Sequence, residues 1–409
     1  MKPSKPAALV LGAGIQGLCA AFALQSRGYR VQLVDQADAC MTRASGRNEA
    51  KIHLGFVYAN DDSFRTASLM LDACLAFAPL LDSWLGKPLD WRSMRSRPFV
   101  YAVMRDSLLS FDQLCAFYAR VQDACLERLR SGTYLGERPA FLWRPIPPPT
   151  WPAWIAPSQV AGLIETAEVA LDLGQFSAHM ASALATSGIE LLFGVRVESA
   201  ARTPSGFRAE GSTATGESWR READILVNCL WEDRLRLDET MGLRPSRPWV
   251  YRLKYRLLGE LPPPLANLPS LTFVLGPYGD IATYPASPTY MNWYPACLQG
   301  WSDDLAPPPA WNEPCDGRVT AAAAAEITRQ ALSALDRIVP GLAGSRIDRM
   351  DAGVIFSWGE SHIDVDDPGS ELHQRHAIGV HAHDGYFSID TGKFTCAPLF
   401  ASHLLDALE

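Results

Sequence analysis

The sequence predicts an α/β protein: a Rossmann-type dinucleotide-binding domain with an α+β second domain interleaved in it. Three observations carry this. Short apolar runs at residues 7–11 and 31–34 flank a helically spaced segment at residues 15–27. Between the first run and that segment lies Gly12-Ala13-Gly14-Ile15-Gln16-Gly17, and Asp35 closes the second run. Proline clusters at 145–157, 262–264 and 307–309 then punctuate a chain of 409 residues, too long for one ordinary domain.

Taken in order, the first 35 residues form one βαβ unit with parallel strands and a right-handed crossover. Each glycine has a steric reason. Gly12 permits the tight turn, Gly14 lets a pyrophosphate approach the backbone, and Gly17 allows close packing of helix on strand. The helix start offers unpaired N–H groups and a positive dipole end to the phosphates. Asp35 stands where a carboxylate accepts from ribose hydroxyls. FAD and NAD both use such a unit, and periodicity does not choose between them.

A small-residue polar loop at 37–50 follows, then a helix predicted over 62–81. Leu109, Phe111, Leu114, Phe117, Tyr118 and Val121 predict another over 108–129. The prolines of 145–157 read as a rigid linker. Residues 189–197 and 223–227 read as strands bracketing a turn at Ser205-Gly206, and alanine-rich 321–335 as a helix. The expected division assigns 1–82, 155–245 and 346–409 to the dinucleotide domain, and 83–154 and 246–345 to the second.

Composition narrows the function. Hydrophobic and charged contents of 48% and 20% are those of a globular protein, and a formal net charge of −8 argues against nucleic-acid partners. Nine cysteines, with no CxxC pair, argue against a metal cluster or a disulfide framework and point to a reducing cytoplasm. Lys2 and Lys5 before an apolar stretch resemble a signal peptide, but the spaced glycines within it are better explained by the turn. No integral membrane segment is expected.

The segment from Ser45 to Tyr58, with Asn48, Ile52-His53, Gly55 and Tyr58, closely resembles the D-amino-acid-oxidase-like FAD superfamily, nearest its L-2-hydroxyglutarate oxidase branch. Asp384 to Thr395 is similar to the closing flavin loop of FAD-dependent glycerol-3-phosphate dehydrogenases, as is the upstream Asp366-Asp367 to Ser370 with Leu372-His373 and Arg375. The resemblance implies FAD as cofactor, with Ser45, Arg47 and Asn48 in the loop around pyrophosphate and flavin and His53 near the isoalloxazine. It puts Gly392, Lys393, Phe394 and Thr395 at the pyrimidine edge, offering donors to N1 and O2, and the Val197 backbone at adenine. Two departures stand out. Cys229-Leu230-Trp231 replaces a small-residue turn, and Ile355 stands where many relatives carry a substrate-binding arginine.

Hydride transfer from an alcohol calls for a base, and neutral His53 suits that role. Lys51 points to the same side if the segment is extended. Arg252, Lys254 and Arg256 alternate on one strand and suggest a basic face for an anionic group; Tyr290 is a candidate ligand contact. The expected activity is oxidation of a CH–OH carbon in a small hydroxy acid or polyol derivative. The alternatives are an amine or amino-acid oxidase and a non-catalytic flavin-binding protein. The electron acceptor, oxygen or another, is left open by these motifs.

Overall fold

A computed structural model describes residues 5–130, 132–359 and 374–409. The first sheet has six strands in the order Gly379–His383, Tyr386–Asp390, Ile225–Asn228, Ala7–Leu11, Arg30–Asp35, Glu190–Phe193. The inner pairings are parallel, with Leu11 opposite both Asn228 and Val34, so three strands end together at one edge. Helix Ile15–Ser26 is almost wholly buried, covered by Ala397–Asp406 and Arg65–Leu85. That explains its lack of a polar face: apolar residues all round suit a helix enclosed on all sides. Among the described residues, Arg65–Leu85 alone has the length and hydropathy of a membrane span. Met70, Leu71, Cys74, Phe77 and Leu81 bury that apolar surface in the main core.

A three-stranded antiparallel meander, Val195–Thr203, Gly206–Thr213 and Ser218–Ala223, packs beside this sheet. The single strand expected over 189–197 is two strands in different sheets, because Gly194 takes φ +70° and redirects the chain.

The second large sheet has nine strands. Trp249–Glu260 lies near one end of its strand order, pairing with Arg346–Trp358 on one side and with Leu298–Ser302 and Thr289–Trp293 on the other. Two strands that the sequence division grouped with the first sheet, Val160–Thr166 and Arg346–Trp358, hydrogen-bond into this one. The proline segment is not simply a linker either. Trp143–Ile146 pairs with Val160–Thr166 as an edge strand, a position where Pro145 breaks no ladder on its open side. The predicted helices over 108–129 and 321–335 are Phe111–Arg128, with a Ser110/Gln113 capping box, and Ala321–Ile338, capped by Thr320.

Candidate active site

The glycine turn sits at the edge where the parallel strands end. Gly12 has φ +97°, and a Cβ there would lie 2.7 Å from the Cys229 carbonyl oxygen. A Cβ on Gly17 would lie 1.7 Å from the Gly12 carbonyl oxygen, so helix and turn touch backbone to backbone. At Gly14 a Cβ would meet Ser45 Oγ at 2.8 Å. Ser45 Oγ in turn accepts from Ile15 N at 2.9 Å, which brings the 37–50 loop onto the helix start. Asp35 accepts from Ala13 N at 2.6 Å and Ala37 N at 2.9 Å, yet burial raises its carboxyl pKa above the ordinary value.

From this turn a cleft runs in two directions. Its outer half, about 680 Å³, is lined by Gly12, Asp35, Arg43, Val197 and Glu232, among others. Its inner half, about 960 Å³, is lined by Arg47, Asn48, Glu49, Lys51, His53, Lys254, Tyr294, Thr391, Gly392, Lys393 and Phe394, among others. Gly14, Ala44, Ser45, Cys229 and Trp231 line both halves. The glycine turn, the loop after the second strand and the carboxy-terminal loop therefore converge on one elongated cavity.

The inner half takes side chains from the nine-stranded sheet and from the segments that follow the strands of the parallel sheet. His53 is 4% exposed and its Nδ1 lies 3.7 Å from Oε1 of Glu168, too far for a hydrogen bond but close for a charge. Burial holds the imidazole pKa below its ordinary value, with Glu168 opposing the shift. Glu168 is fully buried, which by itself favours protonation. His53, Lys51 and a hydrogen bond from Tyr101 outweigh burial and hold its pKa down. Leu54 N donates to its other oxygen at 2.6 Å. Behind His53, Thr395 Oγ1 accepts from His53 N at 3.1 Å and donates to Lys51 O at 3.0 Å, stapling the two loops.

Three of the chain's six lysines meet around Glu49. Burial favours the protonated acid, but Lys254, Lys393 and Lys51 outweigh it and hold Glu49 well below the carboxylate range. Lys254 Nζ lies 3.6 Å from Glu49 and 3.3 Å from Tyr294 Oη, and Glu49 drives its pKa upward against burial. Lys393 has no carboxylate within ion-pair distance among the described residues. Burial, then repulsion from Arg375, lowers its pKa to about 8.

The sequence-predicted residues fare unevenly. Ser45, Arg47, Asn48, Lys51, His53, Lys254, Gly392, Lys393 and Phe394 all line the inner half, and Gly12, Asp35 and Val197 the outer. Lys51 reaches the cavity wall, but its ammonium is tied to Asp280 at 2.8 Å and Thr272 at 2.5 Å. Arg252 is not among the lining residues; its Nη2 bonds Ser357 Oγ at 3.0 Å instead. Tyr290 also sits behind the wall, accepting from Asn292 Nδ2 at 3.0 Å with its hydroxyl 3.5 Å from Glu49. Arg256 forms a two-pronged pair with Asp351, which also holds Arg47. The Phe394 ring packs between Phe77 and Phe176. Asp366 to Ser370 and Leu372-His373 lie outside the described residues. Sequence reasoning missed the roles of Glu49, Glu168 and Asp280, and chose Tyr290 where the neighbouring Tyr294 lines the cavity.

The cavity suits FAD on its own evidence. Its glycine cradle would be filled by any Cβ, and Gln16 Oε1, buried and on a lining residue, lacks a hydrogen-bond partner among the described residues. No curated protein matches the chain by sequence. Solved structures do share the fold. A glycine oxidase from Geobacillus kaustophilus superposes with a TM-score of 0.66 at 15% identity, over 98% of this chain and 94% of that one. An L-alpha-glycerophosphate oxidase from Mycoplasma pneumoniae with FAD bound gives 0.67 at 12% identity, over 99% and 95%. An iminodiacetate oxidase from Chelativorans sp. BNC1 gives 0.62 at 17%, over 98% and 95%. Residues 7–404 match the model of the FAD dependent oxidoreductase family, and the chain belongs to that family, an oxidoreductase with FAD as its cofactor.

Proposed function

We propose that this chain oxidises a CH–OH carbon of a small polar metabolite, a hydroxy acid or polyol derivative, with His53 receiving the hydroxyl proton. FAD, when bound, supplies the hydride acceptor. In this reading Asp35, Val197 and the Gly12–Gly17 turn hold the adenosine and pyrophosphate portions. Ser45, Arg47, Asn48 and residues 392–394 surround the flavin, with Thr395 bracing that loop from behind His53.

The observation that carries the proposal is the His53–Glu168 pair on the cavity wall. A base for an alcohol must be neutral before the reaction and tolerate a positive charge after it. Burial supplies the first condition and anionic Glu168, 3.7 Å from Nδ1, the second. With Nδ1 turned to Glu168, Nε2 is left for the substrate hydroxyl. An amine substrate can release its proton to solvent and has no need of this arrangement. Lys254 and Lys393 make the inner half attractive to an anionic substituent, a role that Ile355 has no charge to fill.

The similar solved structures include oxidases named for glycine and for glycerophosphate, so the fold is compatible with either bond type. The test is anaerobic flavin bleaching with a panel of hydroxy acids, polyol phosphates and amines. Bleaching by hydroxyl compounds, lost in His53→Ala with FAD retained, is expected. Bleaching by amines alone would overturn the reading.

A further inference from the structure

We infer that Trp231 is a cofactor-retaining wall, its indole covering the waist of the bound FAD between the adenosine and flavin halves of the cleft. Five residues line both halves, and four of them are small: Gly14, Ala44, Ser45 and Cys229. Among the described residues lining both halves, Trp231 has the one large side chain.

Its backbone makes the choice of residue more telling. Trp231 adopts φ +53°, a left-handed conformation that a bulky residue rarely occupies and glycine occupies freely. Nothing in the turn itself explains a tryptophan there; the side chain's contacts do. Indole Nε1 donates to Val354 O at 2.9 Å, and the ring meets Phe356 edge to face at 6.1 Å. Val354 and Phe356 belong to the nine-stranded sheet, whereas the turn extends from Ile225–Asn228 of the parallel sheet. The indole therefore bridges the two layers across the side of the cleft.

The next residue continues the wall. Glu232 Oε2 accepts from Arg43 Nη2 at 2.6 Å, and Arg43 also reaches Asn312 and Asp316. A ligand leaving the junction sideways must part these contacts, so the wall acts mainly on the rate of release. This does not depend on which substrate is oxidised.

The test compares the holoenzyme with Trp231→Gly and Trp231→Phe. Glycine suits the left-handed backbone and removes the cover. Phenylalanine keeps a ring but loses the bond to Val354 O. FAD release, followed as flavin fluorescence after dilution, should be about tenfold faster or more in Trp231→Gly and intermediate in Trp231→Phe. The FAD-induced rise in melting temperature, each variant measured against its own apoprotein, should shrink in the same order. A purely structural role would lower apo and holo melting together and leave release unchanged. Unchanged release in Trp231→Phe, together with unchanged release in Trp231→Gly or failure of Trp231→Gly to fold, overturns the inference.

Discussion

The two halves of the cleft are built from different materials. The outer half and its junction rest on a backbone floor: a turn with no room for Cβ atoms, the N–H groups opening Ile15–Ser26, and loop carbonyls held by Asn48 Nδ2 at Ala44 and Ser45, with Asp35, Arg43 and Glu232 around it. The inner half is a balance of side-chain charges, with Lys51 against Asp280, Lys254 against Glu49 and His53 beside Glu168. A backbone-built floor tolerates almost no change in residue size and does not itself titrate. A charge-built site tolerates changes in shape and depends on which protons are present.

Substitution at the glycines should give the largest effect. Gly17→Val places side-chain atoms where the Gly12 carbonyl already stands, 1.7 Å from the new Cβ. Helix and turn must separate, at a cost of about 3 kcal/mol or more. The expected outcome is a protein purified without flavin absorbance. A yellow Gly17→Val protein with normal FAD content would break the comparison, because the outer half would then be adaptable.

The same contrast explains what the sequence revealed. Gly12, Gly14, Gly17 and Asp35 were legible because backbone geometry restricts them to one or two residue types at fixed spacing. Loop residues 45–58 were legible by family likeness. Glu168 was not, because nothing local marks it: it sits between Val160–Thr166 and Val169–Ala170, and its contact with Leu54 spans 114 residues. The basic alternation at Arg252, Lys254 and Arg256 gave the correct strand but not the correct roles. All three are buried in a strand paired on both sides, and only Lys254 reaches the cavity. Which basic residue meets a ligand depends on where Asp351, Ser357 and Glu49 arrive from elsewhere.

In the inner half, His53→Ala should slow anaerobic flavin reduction by about 10²- to 10⁴-fold, the usual contribution of a positioned base. Glu168→Gln keeps the shape and removes the charge. Its effect should be smaller, about ten- to a hundredfold, as for an orienting partner. Direction of pH dependence separates the two roles. Glu168 opposes the downward shift of His53, so its removal lowers that pKa further, and the acid limb of the rate profile should move to lower pH. An unmoved limb would mean that the pair is not coupled.

The smallest effect concerns Lys393 and is a matter of sign. Its folded pKa of about 8 lies below the ordinary lysine value of 10.5. Between these limits the unfolded chain holds a proton that the folded chain has released, so this group makes the apoprotein more stable as pH rises. Lys51 and Lys254 have raised pKa values and contribute in the opposite sense, but only above the ordinary lysine range. In the window from 8 to 10.5 the Lys393 contribution is therefore separable from theirs. Urea unfolding of the apoprotein across this window should show a stability slope that is less positive in Lys393→Met, by at most about 1.4 kcal/mol per pH unit, the value of one proton. Parallel slopes in the two proteins would mean that Lys393 keeps its proton when folded, and the inner half would then hold one more fixed positive charge than its carboxylates balance.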